Sequence, residues 1–299
     1  MKKFIAIILS ACLFPGILWA EEKEKKQYLP EEGDWALGID VVPVLRYIGN
    51  AFNGTIGTND LTHVGGSPFT SGSTNFRDRG LMPTVSIMGK YLLTDEWAIR
   101  ANIGLMLSGE NEKAYSTDDK AMLENPLSET KVIDKAHYSR NGMSLLLGAE
   151  YRKGSRRIQG VFGGGILFAF QNNKSTYTWG NALTEINQSP TSHQFNNMPA
   201  APVNGYRILK ENGSGSDFYT GITGSAGFEW FIAPKIALGA EVNLSLYYVF
   251  GTQTYIESEG YNRTSQKIET RTDIDSPGDN GIYFGTESLG GSLYMTFYF

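Results

Sequence analysis

Cysteine and charge are both scarce in this sequence of 299 residues, which has one cysteine and only 19% charged residues. The single cysteine, Cys12, lies in the first 20 residues, so a chain cleaved after Ala20 has no thiol for a disulfide. The low charged fraction argues against a disordered polyelectrolyte and against a coiled coil. The net charge of −5 argues against a nucleic-acid-binding protein, which is usually basic.

Long apolar runs are missing after residue 20, so the sequence predicts no transmembrane helix beyond its first segment. That segment has Lys2 and Lys3, then an apolar run over residues 4–18, then the small Ala20. This order is typical of a secretory signal peptide. The residues before Cys12 resemble a lipoprotein processing box, but the apolar run that precedes them is short for lipidation. We therefore expect an exported chain.

Alternation of apolar and polar or small residues is the main pattern of the remaining sequence. Between residues 236 and 250 the even positions are apolar or aromatic, whereas the odd positions include Glu241, Asn243 and Ser245. Period two is the signature of β-strands with one apolar face. The same pattern predicts eight strands, over residues 35–47, 81–93, 97–109, 139–152, 158–171, 217–231, 236–251 and 284–299.

The predicted connections alternate between short and long. Three are turns of about three to five residues, whereas the other four, over residues 48–80, 110–138, 172–216 and 252–283, are long and polar. A strand of about 13 residues tilted by about 45° spans about 30 Å, the thickness of the bilayer's hydrocarbon core. Strands cross lipid only as closed barrels, because lipid offers backbone groups no hydrogen-bond partner.

We therefore predict an all-β, eight-stranded antiparallel transmembrane barrel with four long extracellular loops and three short periplasmic turns. Aromatic residues gather near both ends of the predicted strands, as the two girdles of such a barrel do. A soluble β-sandwich or lipocalin-like barrel is the alternative, but it leaves these girdles unexplained. The expected segments are a signal peptide over 1–20, a periplasmic N-terminal stub over 21–34 and the barrel over 35–299.

The end of the chain carries a resemblance to a known class. Together with the signal peptide and the alternating strands, the segment from Leu293 to Phe299 resembles small outer-membrane β-barrel proteins of Gram-negative bacteria, of the OmpA-like class. The resemblance implies location in the outer membrane, with outer-membrane lipid and the barrel assembly machinery as partners. It also implies an assembly signal at Leu293, Met295, Phe297 and Phe299.

Charged residues at inward positions are the first candidate functional site. An eight-stranded barrel is nearly filled by its own side chains, which excludes a wide pore. Because buried ions cost free energy unless they are paired, we expect a salt-bridged plug, with a gated or proton-conducting path as the alternative. Glu150 is the expected acidic partner of Arg100. The predicted network comprises Asp40, Arg46, Lys90, Arg100, Glu150, Arg152, Glu229 and Glu241.

Catalytic and metal-binding patterns are weak. His137 and Ser139 resemble the His-x-Ser pair of lipid A deacylases, but no carboxylate of suitable parity follows them, so we expect no enzyme and no cofactor. Asp273, Asp275 and Asp279 offer oxygen ligands for calcium, although their spacing departs from the EF-hand loop. A solvated acidic loop is the simpler interpretation.

The sequence thus favours a structural platform whose extracellular loops bind a ligand, a partner protein or the host surface, since loops carry function on rigid scaffolds. A narrow channel and a lipid-modifying enzyme are the two alternatives.

Overall fold

The computed structural model describes residues 28–41, 86–154, 156–196, 198–213 and 215–299, except for the side chains of residues 40, 86, 106 and 285–290. Within these ranges the chain is built from antiparallel β-strands and one short helix. None of the described helical segments is long and apolar enough to span a bilayer. The strands are β1 (Trp35–Asp40), β2 (Ser86–Leu92), β3 (Trp97–Thr117), β4 (Lys131–Lys153), β5 (Ile158–Thr178), β6 (Arg207–Glu211), β7 (Ser216–Ala233), β8 (Ile236–Gly251), β9 (Thr254–Asn262), β10 (Lys267–Ser276) and β11 (Asn280–Tyr298), and α1 is Asp119–Glu124.

Eight of the strands form a closed ring. The order around it is β1, β2, β3, β4, β5, β7, β8 and β11, and β11 pairs with β1 to close it. Each pairing is antiparallel, so a hydrogen-bond ladder runs around the whole ring within the described parts of these strands. The predicted all-β fold and the number of strands in the ring are confirmed.

The three short connections, from β2 to β3, from β4 to β5 and from β7 to β8, lie at one end of the ring, which we call the short-turn end. The structure departs from the predicted loops at the opposite end. β3 and β4 continue as a hairpin to Thr117 and Lys131, where we predicted a loop over 110–138. β5 continues to Thr178, and β6, β9 and β10 lie in segments predicted to be loops. The alternation of apolar and polar residues ends where one face of the strand is no longer apolar, whereas backbone hydrogen bonding to the neighbouring strand continues. The sequence pattern therefore predicts only the part of each strand that has an apolar face.

The upper parts of β3, β4 and β5, together with β6, β9 and β10, form a curved sheet that we call the upper wall. It continues the ring away from the short-turn end. β6 pairs with β5 at Ser175 and Thr176, and β9 pairs with β6. The predicted upper parts of β1 and β2, over residues 42–47 and 81–85, lie outside the described residues.

The two faces of the ring differ in chemistry. On β8, Val242 is 51% exposed on the outside, whereas Ser245 on the inside has no exposed surface. The same division holds on β3, where Ile99 and Ile103 face outward and Arg100 is buried inside. Large apolar side chains therefore surround the ring as an exposed belt, and polar side chains fill its interior.

A small apolar cluster closes the interior at the short-turn end. Leu92 and Phe231 are fully buried there, and the ring of Tyr298 packs beside Phe231 with centroids 5.8 Å apart. Tyr28 and Leu29, from the segment before β1, pack against this cluster.

Candidate functional site

Six of the eight predicted inward charges meet in one layer of the interior near the short-turn end. Lys90 on β2 is the first link, because its Nζ lies 2.7 Å from a carboxylate oxygen of Glu150 and 2.7 Å from one of Glu229. All three side chains are fully buried. Of the other two predicted residues, Arg46 and the side chain of Asp40 lie outside the described residues.

Arg152 on β4 is the most highly connected member of the layer. Its guanidinium lies 2.9 Å from Glu150 and 2.6 Å from Glu229. It also donates hydrogen bonds to Oε1 of Gln159 and to the hydroxyl of Tyr298. The Tyr298 hydroxyl in turn donates to Glu229 at 2.7 Å. Four neighbours therefore fix one buried cation.

Arg100 on β3 pairs with a different acid from the one we expected. Its two terminal nitrogens donate to the two carboxylate oxygens of Glu241 at 2.8 and 2.9 Å, whereas Glu150 lies 3.6 Å away. The expectation of Glu150 as first partner is wrong, because Glu150 already accepts from Lys90 and Arg152. Glu241 offers Arg100 both oxygens, and such forked pairs are the strongest geometry.

Two of these ion pairs cross the full width of the ring. β2 and β7 are opposite each other in the ring order, as are β3 and β8, so Lys90 to Glu229 and Arg100 to Glu241 bridge the interior. We call the six residues the charge layer: Lys90, Arg100, Arg152, Glu150, Glu229 and Glu241. Its three bases balance its three acids, as buried ions require.

The neutral members of this layer were not predicted. Gln159 and Tyr298 both bind Arg152, and Ser225 lies 3.4 Å from Arg100. Their inward parity on β5, β11 and β7 was the available signal. Because charge alone selected the candidates, uncharged hydrogen-bonding residues were overlooked.

Three residues of the predicted assembly signal lie on β11, and the fourth, Phe299, directly follows it. Leu293 and Met295 alternate with the buried Tyr294 and Thr296, so they face outward, and Phe299 is 69% exposed at the chain end. Phe297 pairs with Leu37 of β1. Their role in assembly stays a prediction.

The predicted calcium ligands are not gathered into a site. Asp273 accepts from Arg271 at 2.6 Å, while Asp275 and Asp279 are exposed. No group of three or more His, Cys, Asp or Glu side chains in the described ranges is placed to hold a metal ion.

His137 lies in β4 and not in a loop as predicted, and its Nδ1 is 3.0 Å from the amide oxygen of Asn111. Ser139 occupies the same face of β4 and receives a hydrogen bond from Asn141. The expectation that the chain is not an enzyme stays a prediction.

The segment between β5 and β6 is the second candidate site, because it is folded against the inside of the upper wall. Phe195 is 1% exposed and packs against Tyr177, near the end of β5, and Trp179, just beyond it; these two rings also stack on each other. The indole of Trp179 donates to the carbonyl of Ile208 on β6. Burial, together with Glu211, raises the pKa of Tyr177 above its usual value. This loop therefore has a core of its own.

Two carboxylates fasten this segment to the β3–β4 hairpin. Asp134 is fully buried and accepts from the hydroxyl of Ser116 and from the backbone amides of Gly180 and His193. Asp119 accepts from Asn187 and Thr191. Partial burial acts to raise the pKa of Asp119, but these hydrogen bonds outweigh it and lower the pKa.

Replacing Asp134 by alanine should release this segment without unfolding the ring. The change removes the acceptor of the part-buried Gly180 and His193 amides and of the buried Ser116 hydroxyl, and leaving a buried group unpaired costs about 1–3 kcal/mol. We expect faster proteolysis within residues 180–196 and loss of hydrogen-exchange protection at Gly180 and His193. The exposed Asp275→Ala is the matched control. Equal cleavage rates in the two variants would show that Asp134 does not hold the segment.

No protein-family model and no curated protein matches this sequence. Among solved structures, the chain is similar to the outer membrane protein OprG from Pseudomonas aeruginosa. The two share 12% sequence identity, and the alignment covers 91% of this chain and 99% of OprG with a TM-score of 0.29. A TM-score this low supports no conclusion about this chain. The evidence for the ring of eight strands is the pairing of its own strands.

Proposed function

We propose that the protein is an outer-membrane β-barrel whose interior is closed by the charge layer and whose upper wall is a recognition platform. The observation that carries the proposal is the exposed apolar belt around a closed ring with a polar interior. A soluble barrel has the opposite arrangement, because water favours polar residues outside. Lipid accounts for the apolar belt, and closure of the ring satisfies every strand edge.

Aromatic pairs support this placement in a bilayer. Trp35 and Tyr91 pack with ring centroids 4.7 Å apart at the short-turn end, and Phe218 lies 4.9 Å from Phe170 at the other. On β7, Trp230 and Phe218 are about 40 Å apart along the strand, which a tilt of about 45° reduces to about 28 Å. That separation fits girdles at the two interfaces of a membrane.

The platform role is supported by the construction of the upper wall. Its sheet and the folded segment from Gly180 to Phe195 form an ordered surface beyond the belt, and Asp134 fixes that segment to the wall. Rigid presentation lowers the ordering cost of binding a ligand. In the proposed orientation the short turns face the periplasm and the upper wall faces outward.

Charged substitutions at two depths of the belt test membrane embedding. Ile103 is near the middle of the belt on β3, and Leu107 is near its upper end on the same face. Ile103→Arg should destabilise the vesicle-embedded chain by about 2–4 kcal/mol, and Leu107→Arg by about 0–1 kcal/mol. Urea unfolding of both variants gives the difference. Equal, small effects at the two depths, or a soluble monomer that does not enter vesicles, would contradict a membrane barrel.

A narrow channel is the second candidate, and one feature of the interior favours it. In the charge layer, Nε of Arg100 is buried without a hydrogen-bond partner among the described groups. The same holds for three polar atoms of other interior residues: Oδ1 of Asn102, the Tyr294 hydroxyl and Oγ1 of Thr296. Unpaired polar atoms of this kind can form hydrogen bonds with water or coordinate an ion that passes through the interior. Planar-bilayer recording separates the candidates, because a closed charge layer predicts no steady openings.

A further inference from the structure

The upper parts of β3, β4 and β5 carry acidic side chains on one face only. Their inward face holds the acids together with Arg140, whereas every charged or histidine side chain at an outward position is basic, although the whole chain has a net charge of −5. The acids of the same segments, Glu110, Glu112 and Asp134, occupy inward positions. The outward residues are Lys113, Lys131, Lys135, His137 and Lys174.

The strand register brings three of these lysines together on one surface. Lys113 lies directly opposite Lys135, and Lys174 lies opposite Ser139, with His137 between the two levels. Like charges directly opposite each other destabilise a sheet. All three lysines are exposed, and none of them takes part in an ion pair with a described residue. We call Lys113, Lys135 and Lys174 the basic face.

The basic face continues upward from the apolar belt. Leu107, at the top of the belt, pairs with Asn141, and Asn141 pairs with Asn172. Lys174 is two residues beyond Asn172, and Lys113 is six residues beyond Leu107. Six residues span about 20 Å along a strand and about 14 Å in height at a tilt of about 45°. The lysines therefore lie at the level of lipid headgroups and just above it.

We propose that the basic face binds the phosphate groups of a glycolipid in the outer leaflet around the barrel. This proposal rests on the proposed membrane location. Lysine is a strong point-charge partner for phosphate, and a phosphate between Lys113 and Lys135 removes their mutual repulsion. Hydroxyl and amide groups of Asn111, Thr178 and Ser139 alternate with the lysines on the same face and suit a sugar backbone.

Neutralising the basic face should abolish preference for a phosphorylated glycolipid. The test uses the full chain refolded in detergent and titrated with bisphosphorylated lipid A or with the same glycolipid after removal of its phosphates. Each lysine near an anionic headgroup is worth about 1 kcal/mol, so three correspond to a loss of about 100-fold in affinity. We expect this loss in Lys113→Gln/Lys135→Gln/Lys174→Gln.

The matched control removes three positive charges elsewhere beyond the belt, in Lys120→Gln/Arg263→Gln/Lys267→Gln, and should bind as the unchanged chain does. Equal affinity for the two glycolipids, or equal losses in the two triple variants, would overturn the proposal. So would tighter binding of soluble heparin than of lipid A. Insertion of all variants into phosphatidylcholine vesicles is measured in parallel, and failure there counts against the membrane location, not the basic face.

Discussion

Replacing Arg152 by methionine should destabilise the barrel by about 3–5 kcal/mol, the largest effect we expect from a single change in the charge layer. The substitution leaves Glu229 with Lys90 as its only cation and removes the donor to Gln159. A buried charge without its partner costs more free energy than the ion pair contributes to stability, because water does not replace the lost attraction. Urea unfolding of the refolded chain in vesicles measures the effect.

The neighbouring Lys153 supplies the control for Arg152. It follows directly in sequence but is 68% exposed, and its Nζ is 3.4 Å from the exposed Glu96. Lys153→Met should leave the unfolding midpoint unchanged, since exposed pairs contribute little. If Arg152→Met unfolds at the same denaturant concentration as Lys153→Met, the charge layer does not stabilise the barrel.

A double-mutant cycle on Arg100 and Glu241 should give a coupling free energy of about 2–3 kcal/mol, near the upper end for residues in direct contact. The same cycle on Arg100 and Glu150 should give less than about 1 kcal/mol. The reason is geometric: Glu241 accepts two hydrogen bonds from Arg100, while Glu150 lies 3.6 Å away. Arg100→Met, Glu241→Gln and Glu150→Gln keep side-chain size nearly constant.

Equal coupling in the two cycles would show that the layer behaves as one delocalised cluster and not as defined pairs. Coupling near zero in both, together with increased conductance in the Arg100 variant, would favour the channel candidate.

The ring of eight strands could be predicted because each ring strand has one apolar and one polar face. On β8 that alternation runs without a break, and the predicted bounds of 236–251 match Ile236–Gly251. Residues 131–138 of β4 could not be predicted, because Lys135 and His137 on one face are no more apolar than Ala136 and Tyr138 on the other. Hydrogen bonding to β3 and β5 extends these segments.

The candidate site was predictable in composition but not in pairing. Inward parity selected Lys90, Arg100, Glu229 and Glu241, and across the interior Lys90 pairs with Glu229 and Arg100 with Glu241. The choice between Glu150 and Glu241 depends on how far each side chain reaches across the ring, which the sequence does not contain. The role of Tyr298 also depends on reach, because its hydroxyl accepts a hydrogen bond from Arg152, which is 146 positions away in the sequence.

The long sequence separation between Arg152 and Tyr298 determines when the charge layer can form. Tyr298 belongs to the last strand, yet its hydroxyl connects Arg152 of β4 with Glu229 of β7. An unclosed sheet keeps these ions hydrated, so the buried arrangement forms only when β11 meets β1. Contacts between distant parts of a chain slow folding, because the entropy cost of closing the loop comes before the contacts stabilise the fold. Closure of β11 on β1 is thus the step that moves these ion pairs out of water and into the interior of the ring.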